Sequence, residues 1–398
     1  MARKKSKTIE KNRVRFGIIG LGVMGGGHAD AFRKGQTPRA TLAAVCDIDP
    51  ARLAPYEGLP AFTDSRELIR SGTVDAVLIA TPHYAHTTIG IDALRNGLHT
   101  LVEKPISVHK ADAERLIAAA KANPKPVFGA MFQQRTEAAY IKARELMRSG
   151  ELGELQRLSW IITSWFRSEA YYASGGWRAT WAGEGGGVLL NQCPHNLDLL
   201  QWIAGMPVRM RATCHFGRYH DIEVEDDVTA YFEYANGASG TFITTTGEAP
   251  GTNRLEITGT RGKLLVEGGK VLFTRNVQPI DVYNRETDSM FGRPEVWKIE
   301  IPLRGGGGGH NGIRTNFVNA ILDGTELMAP AVEGIHSVEL ANAMLMSTFT
   351  NRTVELPLSG PAYWRHLKKR CATSRYLKKA KQTKAPVKVD FAASLNTP

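Results

Sequence analysis

The chain has 398 residues, 42% hydrophobic and 22% charged, which suits one large or two ordinary globular domains. Its net charge of +11 sits at the ends: seven bases face one acid in residues 1–15 and ten face one in 361–398, leaving 33 bases against 37 acids between. With a mildly acidic body and no apolar run of the roughly 18 residues that cross a bilayer, neither nucleic acid nor membrane is an expected partner. Cys46, Cys193, Cys214 and Cys371 form no CxxC pair, which argues against a disulfide framework and points to a reducing, cytoplasmic compartment. The basic start before VRFGIIGLGVMGGG superficially resembles a secretory signal, but its glycines have nucleotide-loop spacing and cleavage would delete the first strand.

In chain order, short apolar segments predict strands at 14–19, 41–47, 76–81, 99–104 and 126–131, each rich in Val, Ile or Leu as buried parallel strands are. Helical spacing at 89–96 and 111–123 alternates with them, the mark of a doubly wound parallel sheet. The pattern then changes. A helix near 136–149 and a strand at 155–165 precede a glycine-rich turn and a helix over 185–205. Alternating strands at 227–234 and 239–246, then RLEITG and KLLVEG, predict a mostly antiparallel sheet. Helices at 314–324 and 334–349 close the body after a flexible Gly305–Gly309 loop. The expected fold is α/β: a Rossmann dinucleotide-binding domain over 13–134, an α+β domain with a large open sheet over 135–360, and a basic tail over 361–398.

Gly20-Leu21-Gly22-Val23-Met24-Gly25 follows a strand, opens a helix and precedes a strand ending in acid, the context that gives GxGxxG its meaning. The first glycine permits the turn, the second lets a pyrophosphate approach the backbone, and the third lets helix and strand pack closely. Asp47, 22 residues beyond Gly25, suits the ribose hydroxyls of NAD. Against the extra phosphate of NADP it costs roughly 4 kcal/mol at about 4 Å and an effective dielectric of about 20. Arg52 is expected to be a solvated helix residue rather than a counter-charge.

Those residues, with Thr81-Pro82 after the third strand, Glu103-Lys104-Pro105 after the fourth and GGG-x-L-x₅-H-x₂-D at 185–198, resemble the Gfo/Idh/MocA oxidoreductases over roughly residues 14–358. The resemblance implies an NAD-dependent exchange of secondary alcohol and ketone on a sugar, glycoside or cyclitol. It also implies a homodimer or homotetramer built on the open sheet, and a cis Lys104–Pro105 bond. Expected cofactor contacts are Gly20, Gly22, Val23, Met24, Gly25, Asp47, Thr81, Pro82, His86, Glu103 and Lys104; His83 lies beside them.

Lys104 at the carboxyl end of a parallel strand can stabilise a developing alkoxide. His195 is the candidate acid/base, because an imidazole titrates near neutrality. Asn191, His195 and Asp198 are spaced to share one helical face. Asp198 either orients that helix or the imidazole, or is purely structural. Many members of the family carry Asp where this chain has Asn191, which hydrogen-bonds but holds no charge, so Asn191 is expected to position substrate rather than relay protons. Gln134, Arg135, Tyr171, Tyr172, Trp177, Arg178 and His310 are further substrate-binding candidates. His215, His220, Asp221, Glu223, Glu225, Asp226 and Asp227 lack a ligand spacing, so no metal is expected. Two other readings stand beside the dehydrogenase: a redox-neutral enzyme that uses NAD to assist glycoside elimination, and a non-catalytic sugar or NAD sensor.

Overall fold

The computed structural model describes residues 12–375. The chain divides into two compact units, one of residues up to 107 with 112–133 and 308–335, the other of 108–111 with 134–307 and 336 onward. The first part of the chain alternates β1 (Val14–Ile19), α1 (Val23–Arg33), β2 (Ala40–Cys46), β3 (Ala61–Phe62), α2 (Ser65–Arg70), β4 (Ala76–Ile79), α3 (His83–Arg95), β5 (His99–Val102), α4 (Lys110–Ala122) and β6 (Phe128–Ala130). The strands form one parallel sheet in the order β3-β2-β1-β4-β5-β6. Order reverses between β1 and β4, and ligands of such sheets bind at the carboxyl ends beside that reversal. β3 and α2 were not expected, and α3 starts earlier than its expected 89–96. β3 has two residues, too few for any periodicity, and α3 starts at His83, where the Thr- and His-rich first turns carry no apolar stripe.

Farther on come α5 (Ala138–Arg148), β7 (Leu155–Ile162), α6 (Glu169–Tyr172), α7 (Pro194–Ala204), β8 (Arg209–Phe216), β9 (Glu225–Glu233), β10 (Ser239–Thr245), β11 (Asn253–Gly259), β12 (Gly262–Glu267), β13 (Lys270–Asn276), α8 (Ile280–Glu286), β14 (Val296–Glu300), α9 (Gly309–Asp323), α10 (Gly334–Thr350), β15 (Val354–Glu355) and α11 (Gly360–Cys371). The second unit holds a nine-stranded sheet, β14-β13-β12-β11-β7-β10-β9-β8-β15, in which only the β7–β10 pair is parallel. Alternation follows from one face being packed: β9 buries Val228, Ala230 and Phe232 and leaves Tyr231 exposed. Trp160 of β7 is fully buried with its ring 6.3 Å from Phe242 of β10.

Three expectations are corrected. Residues 308–335 belong with the first unit: Phe317 packs 6.1 Å from Phe16, a side chain at Gly129 would strike Phe317 at 2.9 Å, and the Ala130 N–H donates to the Ala329 carbonyl at 3.0 Å. Helix α7 begins at Pro194 rather than near 185, because the preceding segment is turned by the Asn191 and Cys193 N–H groups donating to the Gly187 and Val188 carbonyls. Proline at the first helical position loses no bond, so it marks a start. The tail is body as far as α11, where Tyr363 and Leu367 are fully buried and His109 stacks 4.4 Å from Trp364; residues 376–398 lie outside the described residues.

Candidate functional site

In the first unit the glycine motif makes a cradle. Gly20 turns the chain at φ +91°, and a side chain there would meet the Ala80 carbonyl at 2.7 Å. At Gly25 an added Cβ would lie 1.7 Å from the Gly20 carbonyl, so only glycine lets α1 approach β1. Gly22 caps α1 without a side-chain bond, which leaves the first helical N–H groups for an anion. Beside them Val23 is about half exposed, Met24 half-buried.

Asp47 lies just past β2, 7% exposed, and closes one side: its Oδ2 accepts from the Leu21 N–H at 2.6 Å and its Oδ1 from the Asp49 N–H at 2.9 Å. Arg52 is exposed, as expected of a solvated residue, but it also faces the cradle. Its Nη1 lies 3.9 Å from Asp47 Oδ2 and would be 3.4 Å from a side chain at Gly22, so a cation stands at the rim of the cradle. After β4, Thr81 Oγ1 is buried with no hydrogen-bond partner. An open glycine floor, helix N–H groups, a rim carboxylate and an orphaned hydroxyl fit a dinucleotide.

The Lys104–Pro105 bond that follows β5 is cis. His86, 1% exposed, braces this turn, its Nδ1 2.8 Å from the Pro105 carbonyl and its Nε2 2.8 Å from that of Thr81. Burial outweighs both carbonyls and lowers its pKa. Both nitrogens face carbonyls inside the protein and the neutral ring donates to one of them, so His86 is a strut between Thr81-Pro82 and Lys104. His83, also buried, has its ring 5.8 Å from that of His86.

Glu103, 5% exposed, sits in a buried network that sequence reading did not detect. Arg314 Nη1 lies 2.5 Å from His28 Nδ1, and His28 Nε2 lies 2.8 Å from Glu103 Oε1. A guanidinium only donates, so His28 accepts at Nδ1 and donates from Nε2 to the carboxylate. Burial would raise the Glu103 pKa, but the bond from His28 and nearby positive charge, Lys104 included, bring it down to about 2. Glu103 Oε2 accepts from the Lys104 N–H at 3.2 Å, which ties the ionised carboxylate to the residue that bears the candidate catalytic amine. His310, expected in the second domain, is instead here in the first turn of α9, its ring 5.5 Å from that of His28, and burial lowers its pKa to about 4.

The second unit holds the other candidates. His195 is buried in the first turn of α7, 4% exposed. Asn191 precedes that helix, so the expected shared helical face is not formed. Its Nδ2 donates to Glu184 Oε1, and its Oδ1 accepts from the Tyr171 hydroxyl at 3.3 Å. Glu184 Oε2 accepts from the Ala179 N–H at 2.6 Å. A carboxylate therefore stands directly behind the amide that replaces the family's Asp. The acid immediately before Gly185-Gly186-Gly187 was the signal for it.

Those glycines pack on β9, where a side chain at Gly187 would lie 2.0 Å from the Glu225 carbonyl. Glu225 Oε1 accepts from the Gly187 and Leu189 N–H groups at 2.8 and 3.1 Å, holding the turn that leads to Asn191. Its other oxygen is buried without a partner, and burial raises its pKa to about 7.

Asp198 binds Arg135 in a two-bonded fork, Nε to Oδ2 at 2.7 Å and Nη2 to Oδ1 at 2.6 Å, both side chains about 1% exposed. This commits Arg135 to holding α7, and it makes Asp198 a structural anchor. Gln134 keeps a buried Oε1 without a partner. Tyr172 is core: its hydroxyl lies 2.7 Å from Thr246 Oγ1 and its ring 4.8 Å from His220. Its neighbour Tyr171 is the one that reaches Asn191, while Arg178 donates to the Tyr171 hydroxyl at 2.7 Å and lies 4.9 Å from the Trp177 ring. The acidic cluster is a loop anchor, Asp226 accepting from the backbone of Arg218, Tyr219 and His220. Among the described residues no group of three His, Cys, Asp or Glu is arranged to hold a metal ion, and no helix is long and apolar enough to cross a membrane.

Two family profiles match the chain, an oxidoreductase family with an NAD-binding Rossmann fold over residues 14–130 and the Gfo/Idh/MocA C-terminal domain over 140–265. An inositol 2-dehydrogenase of Corynebacterium glutamicum is 31% identical over 199 residues, 49% of this chain and 55% of that relative. A myo-inositol 2-dehydrogenase of Thermotoga maritima is 27% identical over 266 residues, 64% of this chain and 75% of the relative. The match to the first of these thus spans only about half of that relative's length. Among solved structures, the WlbA dehydrogenase of Bordetella pertussis, determined with NADH and UDP-GlcNAcA, superposes with a TM-score of 0.73 at 25% identity, covering 87% of this chain and 100% of that one. Levoglucosan dehydrogenase with NADH shares the fold at a TM-score of 0.71 and 21% identity, covering 87% of this chain and 100% of that one. With a dinucleotide cradle on one unit and a matching C-terminal domain on the other, the chain belongs to the Gfo/Idh/MocA oxidoreductases.

Proposed function

We propose that the protein is an NAD-dependent oxidoreductase that interconverts a secondary alcohol and a ketone on a sugar, glycoside or cyclitol. The observation that carries this reading is Lys104, delivered by the same sheet that forms the dinucleotide cradle and bonded through its backbone to the ionised Glu103. Bound NAD supplies the acceptor for a hydride leaving the carbinol carbon. His195 takes the hydroxyl proton, and the Lys104 ammonium stabilises the oxygen as negative charge develops. Asn191, fixed between Glu184 and Tyr171, positions a hydroxyl, as does Gln134 through its unpartnered oxygen. Asp47 selects NAD over NADP by charge, moderated by Arg52.

NADH formation followed at 340 nm with pyranoses, glycosides and inositols tests this. His195→Ala is expected to lose about a hundredfold or more in turnover while keeping NAD affinity; unchanged turnover overturns the assignment. We further place the protein in the cytoplasm, in keeping with its four free cysteines. We also propose a homo-oligomer through the open face of the second sheet, where Tyr231, Leu272 and Val296 are exposed; light scattering that finds a monomer refutes it.

A further inference from the structure

We infer that the substrate carries an anionic group, a carboxylate or a phosphate, held by Arg167 and Arg178 around Tyr171. The inference rests on the dehydrogenase reading above and narrows its substrate class.

Both guanidinium carbons lie over the same ring, Arg178 at 4.4 Å and Arg167 at 5.1 Å from the Tyr171 centroid. The two charges are therefore within about 10 Å of each other, no more than a Debye length at 0.1 M salt. Among the described residues neither has a carboxylate within salt-bridge distance, although Arg15, Arg39, Arg70, Arg135 and Arg209 all do. Stacking on aromatics orients each plane without neutralising it: Arg167 also lies 5.5 Å from the Trp165 ring and Arg178 4.9 Å from that of Trp177.

A guanidinium has five N–H donors. Arg178 gives one to the Tyr171 hydroxyl and one to Ser174 Oγ at 3.2 Å, while Arg167 gives one to the Phe166 carbonyl at 2.8 Å. The donors left over, in fixed planes, have the fork geometry that matches carboxylate and phosphate oxygens. The backbone behind Arg178 is fixed as well. Ala179 stands at φ +53°, a left-handed conformation costly for alanine, with its N–H held by Glu184.

The cations are also wired to the candidate site. Tyr171 OH accepts from Arg178 and from Gln192 Nε2 at 3.1 Å and donates to Asn191, which in turn donates to Glu184. The hydrogen bonds thus run in one direction from the guanidinium to the amide just before α7. An anion on the arginines would place the rest of the sugar toward Asn191. An uncharged polyol would leave the two like charges around Tyr171 without a counter-charge.

The test compares matched pairs by NADH formation: glucose with glucuronate for a carboxylate, and glucose with UDP-glucose for a phosphate. One anionic member is expected to have a kcat/KM at least tenfold above glucose, and which one identifies the source of the charge. Arg178→Met and Arg167→Met should each cut that advantage about tenfold, with NAD affinity as the folding control. Glucose turned over as well as both anions, or an advantage untouched in both variants, overturns the inference. If no sugar yields NADH, the dehydrogenase reading has failed and the subsite is tested alone, by calorimetric titration of glucuronate and of UDP into NAD-loaded protein. Binding weakened by 0.5 M salt and by Arg178→Met then supports the anion subsite, and heat from neither ligand overturns it.

Discussion

Glu103 in the first unit and Glu225 in the second are both buried carboxylates beside functional turns, yet one is held ionised and the other near neutrality. Burial raises the pKa of each. Around Glu103 the bond from His28 and nearby positive charge reverse that shift and bring it down to about 2. Around Glu225 two backbone N–H groups reach one oxygen, the other oxygen has no partner, and the value stays at about 7. Depth therefore does not decide charge in this protein; the donors and charges facing the group do. The ionised acid supports Lys104, where a fixed charge is useful, and the near-neutral one closes a glycine turn, where only an acceptor is required.

Removing the guanidinium that organises Glu103 gives the largest expected effect. Arg314→Met should cost about 3–5 kcal/mol in urea unfolding at pH 7, as breaking a buried charge network does; a loss below about 1 kcal/mol would mean that Glu103 is not held this way.

The pH dependence sharpens the contrast. Glu103 has a depressed native pKa, so its stabilisation is present above about 4.5 and lost as pH falls toward 2, about 3 kcal/mol in all. Glu225 has a raised one, so the fold favours its neutral form: stability is full below about 4.5 and declines as pH rises through 7, by a similar amount at most. Glu225→Gln keeps an acceptor for Gly187 and Leu189 and should flatten the decline between pH 5 and 8; a decline that persists in the variant contradicts the role given to Glu225. The smallest effect concerns the cradle. Arg52→Ala should raise the preference for NAD over NADP severalfold, read as the ratio of kcat/KM values, because the half-exposed guanidinium partly offsets Asp47.

Much of the first unit was legible because its signals are local. Gly20, Gly22 and Gly25 answer to steric demands within one turn of chain, and the strands around them are continuous apolar runs. Lys104 stands at the end of the apolar strand segment 99–104, a position evident from the sequence. The His28–Glu103–Arg314 network was not legible, since its members are separated by 75 and 286 positions and none belongs to a motif with the others. In the second unit the sequence over 185–205 reads as one helix because Val188, Leu189 and Leu190 are as apolar as the helix that follows, and only Pro194 signals the true start. Tyr171 and Tyr172 are adjacent and chemically alike, so sequence had no means of telling which one faces Asn191 and which one packs on Thr246.

By itself the sequence determined the class of the fold, the cofactor cradle and the residue types available for proton transfer, because these depend on periodicity, glycine sterics and intrinsic pKa. Only the tertiary structure decided that α9 completes the first unit, that Arg135 serves Asp198, that Glu184 stands behind Asn191, and which buried acids are ionised. Those outcomes depend on which distant side chains share a desolvated space, where one hydrogen bond or one charge outweighs everything local.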